Sequence, residues 1–181
     1  GDPINWKDPT GEATCADPNC DTATIDGFVR RDVPIDSSLQ GNSNPIGATV
    51  TFQNDNQNGA SPNQPIDTKT AVTTEQAIKQ SGVDSVNVNS TTGGQHSPTS
   101  LHSRDPGRAV DINRVNGKRV DDPTNAGPVG KLQDAIADQS GVKENFGPTR
   151  NEKTGADGSV RSPSQAVIDQ HKNHIHIGTE D

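Results

Sequence analysis

Ser100-Leu-His-Ser-Arg-Asp-Pro-Gly-Arg-Ala-Val-Asp-Ile112 and His171-Lys-Asn-His-Ile-His-Ile177 carry four of the five histidines in a chain of 181 residues. Alternate residues of a strand share a face. In the first stretch Ala109 and Asp111 therefore face one way, and Val110 and Ile112 the other. In the second, His174 and His176 share one face while Ile175 and Ile177 share the opposite one. Each segment reads as a half-buried strand with an apolar back and a polar front. Side by side, the two strands put two histidines and one aspartate on one surface, with room left by small Ala109. His102, ahead of the turn at Pro106 and Gly107, supplies a further ligand from a loop. The residues point to one zinc ion held by His102, Asp111 and His176. Two imidazoles, one carboxylate and an open position suit a catalytic zinc, which needs a vacant site for water.

Each pattern alone has a plainer reading. A His-x-His strand is often a solvated edge, Ala-Val-Asp-Ile is a strand with a polar end, and a short histidine-rich tract can bind metal without catalysis. Their joint occurrence, with matching strand parity and almost no histidine elsewhere, favours a shared site.

Ser100-x-His102 followed by Gly107-x-Ala109-x-Asp111, then His174-x-His176, resembles the zinc peptidase superfamily. That superfamily includes D-Ala-D-Ala carboxypeptidases and dipeptidases, phage L-alanyl-D-glutamate endopeptidases, lysostaphin-like enzymes and hedgehog-type domains. The resemblance covers about residues 71–181 and departs from the family's Ser-x-His-x-x-Gly-x-Ala-x-Asp by two extra residues within Ser103-Arg-Asp-Pro106. It implies an α+β fold: a small antiparallel sheet carrying the zinc site, packed by two or so helices, behind an irregular N-terminal extension. It also implies hydrolysis of peptidoglycan stem peptides or cross-links, by a carboxypeptidase or an endopeptidase. His174 then stabilises the oxyanion. Many relatives carry an acid three residues before the last ligand; here Asn173 stands there and cannot accept a proton. The spacing His171-x-x-His174-x-His176 resembles the carboxypeptidase branch, which makes His171 the base, with Asp169 as the fallback. Relatives often clamp a substrate carboxylate with an upstream Arg, but none lies between residues 32 and 103. His96, Arg104 and Arg108 are the candidates for that contact, together with Ser100 of the motif. Arg is the better clamp because its planar fork donates two bonds.

Gly1-Asp-Pro-Ile-Asn-Trp-Lys-Asp-Pro-Thr-Gly11 resembles the end of the conserved core of rearrangement-hotspot (Rhs) repeat proteins, just upstream of variable toxin domains. Residues 1–11 are then the end of an Rhs-like core, 12–70 a polar extension or linker, and 71–181 the catalytic domain. That context implies a secreted effector acting in a target cell's periplasm or wall, with a cognate immunity protein. No signal-peptide pattern opens the chain, and the start at Gly1 reads as an excised fragment.

Composition sets further bounds. Hydrophobic residues are only 26%, with three Phe, one Trp and no Tyr or Met, too lean for 181 residues to share one large core. No run of about eighteen apolar residues exists to span a membrane. The net charge of −8 argues against nucleic acid as partner. Cys15 and Cys20 fit a small disulfide loop or free thiols better than half a metal site. Ile25–Val29 and Ala48–Phe52 read as short strands, and Asn54–Pro65 as loop. Thr73–Gln80 reads as a helix capped by Thr73 and ended by Gly82, followed by a strand at Val83–Val88. Val115-Asn-Gly-Lys-Arg-Val120 is a tight hairpin. Pro128–Asp138 is the clearest helix, with Val129, Leu132, Ala135 and Ile136 on one face. Glu144–Pro148 is a strand end or substrate-side loop, and Asn151–Ser164 a flap. Two other readings of the whole remain open: a zinc-binding recognition domain without peptidase activity, and a metal-dependent nuclease toxin.

Overall fold

Period-two alternation of branched apolar residues builds most of this molecule. The structure, a computed structural model, describes residues 48–54, 62–94 and 96–180. The strands are β1 (Thr49–Phe52), β2 (Ser85–Ser90), β3 (Ala109–Val115), β4 (Lys118–Arg119), β5 (Val142–Phe146), β6 (Asn151–Thr154), β7 (Val160–Arg161) and β8 (Ile175–Thr179). The helices are α1 (Thr68–Ser81), α2 (Ala126–Ala137) and α3 (Gln165–Gln170). The strands form one sheet in the order β1-β2-β3-β8-β5-β6-β7, with β4 paired to β3. Only β1 and β2 run parallel; the other pairs are antiparallel. The fold is α+β, as expected.

The back of the sheet makes the core. Val86, Val88, Val110, Ile112, Ile175 and Ile177 pack with Ala71, Ala77 and Ile78 of α1 and with Val129, Leu132, Ala135 and Ile136 of α2. Full burial of one such Val, Leu or Ile side chain contributes about 1.5–3 kcal/mol. The helix face read from the spacing in α2 is the buried one. The Asn-Gly hairpin also forms: Asn116 has φ 51° and Gly117 φ 74°, the left-handed pair that a two-residue turn between twisted strands requires. Asn116 Oδ1 accepts from the backbone N–H groups of Asp84 (2.8 Å) and Ser85 (3.2 Å), tying the turn to the start of β2.

Three boundaries differ from the sequence reading. Helix α1 begins at Thr68, and its cap is Asp67, whose side chain accepts from Thr70 N at 3.3 Å; Thr73 is buried inside the helix. Two Ser/Thr/Asp cap signals compete here, and the upstream one wins because Ile66 and Ala71 find places in the core. Strand β2 starts at Ser85 rather than Val83, with Val86 and Val88 turned to the core as read. The segment read as a flap contributes β6 and β7, which pair antiparallel and extend the sheet.

Upstream of position 71, the strand at residues 49–52 pairs with β2 from Thr49↔Ser85 to Phe52↔Val88, and Ile66 bridges Gly107. Residues 1–11, Cys15, Cys20 and Ile25–Val29 lie outside the described residues. Among those described, no helix is long and apolar enough to cross a membrane.

The turn after β5 is locked from beneath. Gln133 of α2 is fully buried. Its Oε1 accepts from Thr149 N (2.9 Å), Thr149 Oγ1 (2.7 Å) and Arg150 N (3.2 Å). Its Nε2 donates to Asn145 Oδ1 (3.1 Å) and Arg150 O (2.9 Å). A Cβ on Gly147 would lie 2.7 Å from Gln133 Nε2, so the chain needs glycine there. This anchoring sets the position of β5, which supplies a residue to the site.

Candidate metal centre

Asp111 and His176 face each other as register partners of β3 and β8, and Phe146 of β5 is the partner on the other side of His176. Strand parity brings both polar side chains to the front of the sheet. His102 arrives from a 3-10 turn, Leu101–Ser103, capped by Ser100 Oγ, which accepts from His102 N at 3.3 Å. Three atoms converge: His102 Nε2, Asp111 Oδ1 and His176 Nδ1. They are 3.1 Å (His102–Asp111), 3.2 Å (His102–His176) and 3.0 Å (His176–Asp111) apart. The residues are 4%, 8% and 5% exposed, so little of their surface faces solvent.

Their outer partners decide where the protons sit. His102 Nδ1 donates to the Thr91 carbonyl. His176 Nε2 donates to Glu144 Oε2 at 3.2 Å. Each neutral imidazole then presents a lone pair to the convergence point, and Asp111 presents a third. Three buried acceptors facing one another repel unless a cation lies among them. Donors bonded tetrahedrally to zinc at about 2.0–2.1 Å stand about 3.3 Å apart, close to the edges seen. The group could hold a metal ion, and Thr91 and Glu144 are the kind of outer-shell acceptors that orient metal-bound histidines.

The electrostatics agree. In the metal-free protein, where protons rather than a metal occupy the inner ring nitrogens, burial raises the Asp111 pKa, but the coulombic pull of His102 and hydrogen bonds from His102 and His176 overcome it and hold the carboxyl well below its usual range. Burial lowers the His176 pKa, but hydrogen bonds to Asp111 and Glu144 push it up to about 9. Without a metal, a proton serves as the cation. Burial also opposes Glu144 ionisation, yet His176 and Lys153, whose Nζ lies 2.6 Å from Oε1, bring its pKa down to about 2. Glu144→Ala removes the acceptor that fixes the His176 tautomer. Metal affinity, measured by competition with a chromogenic chelator, should fall by about 10–100-fold; an unchanged affinity would show that Glu144 does not orient the ligand.

The group lies in a cleft of about 760 Å³ into which all five histidines project. His171 caps α3; its Nδ1 donates to Val167 O at 2.7 Å, leaving Nε2 as an acceptor. Burial lowers its pKa to about 4, against the opposing bond to Val167. Its ring packs on Phe146 and His176, with centroids 5.0 and 5.2 Å away. His174 Nε2 stands 3.8 Å from Asp111 Oδ1 while Nδ1 bonds Asn173 Oδ1 at 2.8 Å, and burial lowers its pKa. In that tautomer Nε2 carries a lone pair. Donation to an oxyanion therefore requires the Asn173 amide to turn, so that its NH2 bonds Nδ1 and Nε2–H faces the cleft. His96 stacks on His102 at 4.1 Å with the rings 12° apart, and its Nε2 donates to Gly93 O at 3.0 Å. Ser100 lines the cleft and caps the ligand's turn.

The other named candidates lie elsewhere. Asp169 bonds Lys172 (2.6 Å) and Gln165 (3.1 Å). Arg104 and Arg108 line a separate cavity. Sequence reasoning missed Glu144 and Thr91 as partners of the two histidines. The parity of Val142–Phe146, which puts Glu144 and Phe146 on one face, was the available signal for Glu144; nothing local marks that strand as the neighbour of β8.

No family model matches the chain, and neither a curated protein nor a solved structure matches it.

Proposed function

We propose that this chain is a zinc-dependent peptidase that hydrolyses peptidoglycan stem peptides or cross-links, delivered as the effector tip of an Rhs-type toxin. The observation that carries the reading is the convergence of three buried acceptors, His102 Nε2, Asp111 Oδ1 and His176 Nδ1, at a cleft that also holds His171 with Nε2 unprotonated. Two imidazoles and a carboxylate form a donor set typical of catalytic zinc. A zinc ion held by His102, Asp111 and His176 would supply a Lewis acid for a substrate carbonyl and for a water molecule. His171 Nε2 takes the water's proton; burial, which lowers its pKa to about 4, keeps the ring neutral at neutral pH. His174, with the Asn173 amide turned, donates to the oxygen that becomes negative. Phe146 and His96 flank the ligand rings and limit their rotation. The Rhs context, the secreted route and an immunity partner rest on the resemblance of residues 1–11.

Stripping the protein with a chelator should abolish cleavage of purified muropeptides, and added zinc should restore it. The mass of the products identifies the bond and separates carboxypeptidase from endopeptidase. Cleavage by metal-free protein would sink the mechanism. Bound zinc with intact muropeptides would mean a recognition domain. Degradation of plasmid would mean a nuclease, a reading opposed by the charge of −8 and by a cleft in which Lys153 is the one Lys or Arg among the described residues.

A further inference from the structure

Tetrahedral zinc takes four donors, and the converging group supplies three. A further nitrogen stands beside it. His174 Nε2 lies 3.8 Å from Asp111 Oδ1, about 0.5 Å beyond the edge of about 3.3 Å that two zinc-bound donors share. Two things place it there. His174 stands two residues before the ligand His176, at the entry to β8, and residues so spaced in extended chain share a face. The Asn173 side chain sets the tautomer: its Oδ1 accepts from Nδ1–H at 2.8 Å, which leaves the lone pair on Nε2, the nitrogen turned to Asp111. Acceptor facing acceptor is the relation already seen among His102, Asp111 and His176.

His174 lies outside the triangle of three, so its ring must swing inward to join it. It is free to do so. Its side chain is 22% exposed on the cleft, against 4% for His102 and 6% for His176. Among the described residues its one hydrogen-bond partner is its chain neighbour Asn173. We propose that His174 is a fourth, displaceable ligand, whose Nε2 swings onto the metal ion in the resting protein and gives way to an incoming substrate carbonyl. The Asn173 amide is the switch. With Oδ1 towards Nδ1–H, Nε2 is a ligand and the site is closed. With the amide turned, its NH2 donates to Nδ1, and Nε2–H becomes a donor in an open site. A carboxylate at this position could only accept and would hold the closed form. The inference rests on the proposed metal centre, and on the peptidase only for what displaces His174.

The test loads the full chain with cobalt(II), whose visible bands report its donors without any hydrolysis. Native protein and His174→Ala are compared with and without added imidazole. The expected result is a four-coordinate spectrum in native protein that imidazole does not alter, and a changed spectrum in His174→Ala. Imidazole filling the vacated place should then restore the native bands. Zinc affinity of the variant, from chelator competition, should fall by about tenfold or more, the least that loss of an outer-shell partner costs. His171→Phe should keep the native spectrum. X-ray absorption at the zinc edge of the native protein needs no variant and should count three imidazoles; a count of two overturns the proposal. A spectrum unmoved by His174→Ala, imidazole binding to native and variant alike, or a change caused by His171→Phe also overturns it, and leaves the three-residue centre standing. A native chain that binds neither cobalt nor zinc overturns both.

Discussion

Asp111→Ala should yield protein without bound metal, where the native chain after zinc reconstitution holds about one ion. Asp111 is the one anionic member of the converging group, and its Oδ1 lies within 3.1 Å of both imidazole nitrogens. Without it, two buried lone pairs 3.2 Å apart face each other with no negative charge to hold a dication. Loss of an outer-shell partner costs about 10–100-fold in affinity; loss of this ligand should cost more, about a thousandfold at least, and hydrolysis should go with it. The fold should survive, because Asp111 faces forward while Val110 and Ile112 fill the core behind it. Asp111→Asn, which keeps the shape and removes the charge, guards against a packing effect. Elemental analysis alongside circular dichroism checks both variants. One zinc retained in folded Asp111→Ala would mean that the metal binds elsewhere.

His171→Phe should slow muropeptide cleavage by about 10²–10⁴-fold, the usual contribution of a general base, and leave zinc stoichiometry unchanged. Phe keeps the aromatic contact with Phe146 and His176 and removes the acceptor. The pH profile separates a base from a structural ring. Burial brings the His171 pKa from 6.5 to about 4, so at saturating zinc the rate should hold below pH 6.5 and fall only towards pH 4. Stability carries the matching signature. The folded ring stays neutral down to about 4 while the unfolded one protonates near 6.5, so unfolding takes up a proton between those values. Stability therefore falls as pH drops through that window, and above it the titration of this residue adds no pH dependence. Phe at 171 should remove that contribution, visible in metal-free protein as a smaller native-minus-variant difference at pH 4 than at pH 7. A variant of native speed would place the base elsewhere, and one that loses zinc would assign His171 to the metal.

The residues that make this site were legible in the chain to different depths. Parity along Ala109–Ile112 and His174–Ile177 already separated a polar front from an apolar back. The same local logic exposed the buried face of α2 and the Asn116-Gly117 turn. These features follow from backbone dihedrals and nearest neighbours, which a sequence records directly. Which strand lies beside which is a different matter. Asp111 and His176 meet across 65 positions of chain, His102 and His176 across 74, and Glu144 reaches His176 across 32. The pairing of β3 with β8 could be inferred, because two half-apolar strands with matching polar fronts bury their backs best together. The pairing of β5 with β8 could not, since Val142–Phe146 has no polar partner pattern that only β8 would complement. The histidine tautomers follow from that packing, as Thr91 and Glu144 take one ring proton each and leave the lone pairs pointing inward. Arg104 and Arg108 show the same limit. The resemblance made them candidates for a contact with substrate in the metal cleft, but they line a neighbouring cavity instead. Periodicity tells which way a side chain faces on its own strand; what it meets there depends on free energy gathered over the whole fold.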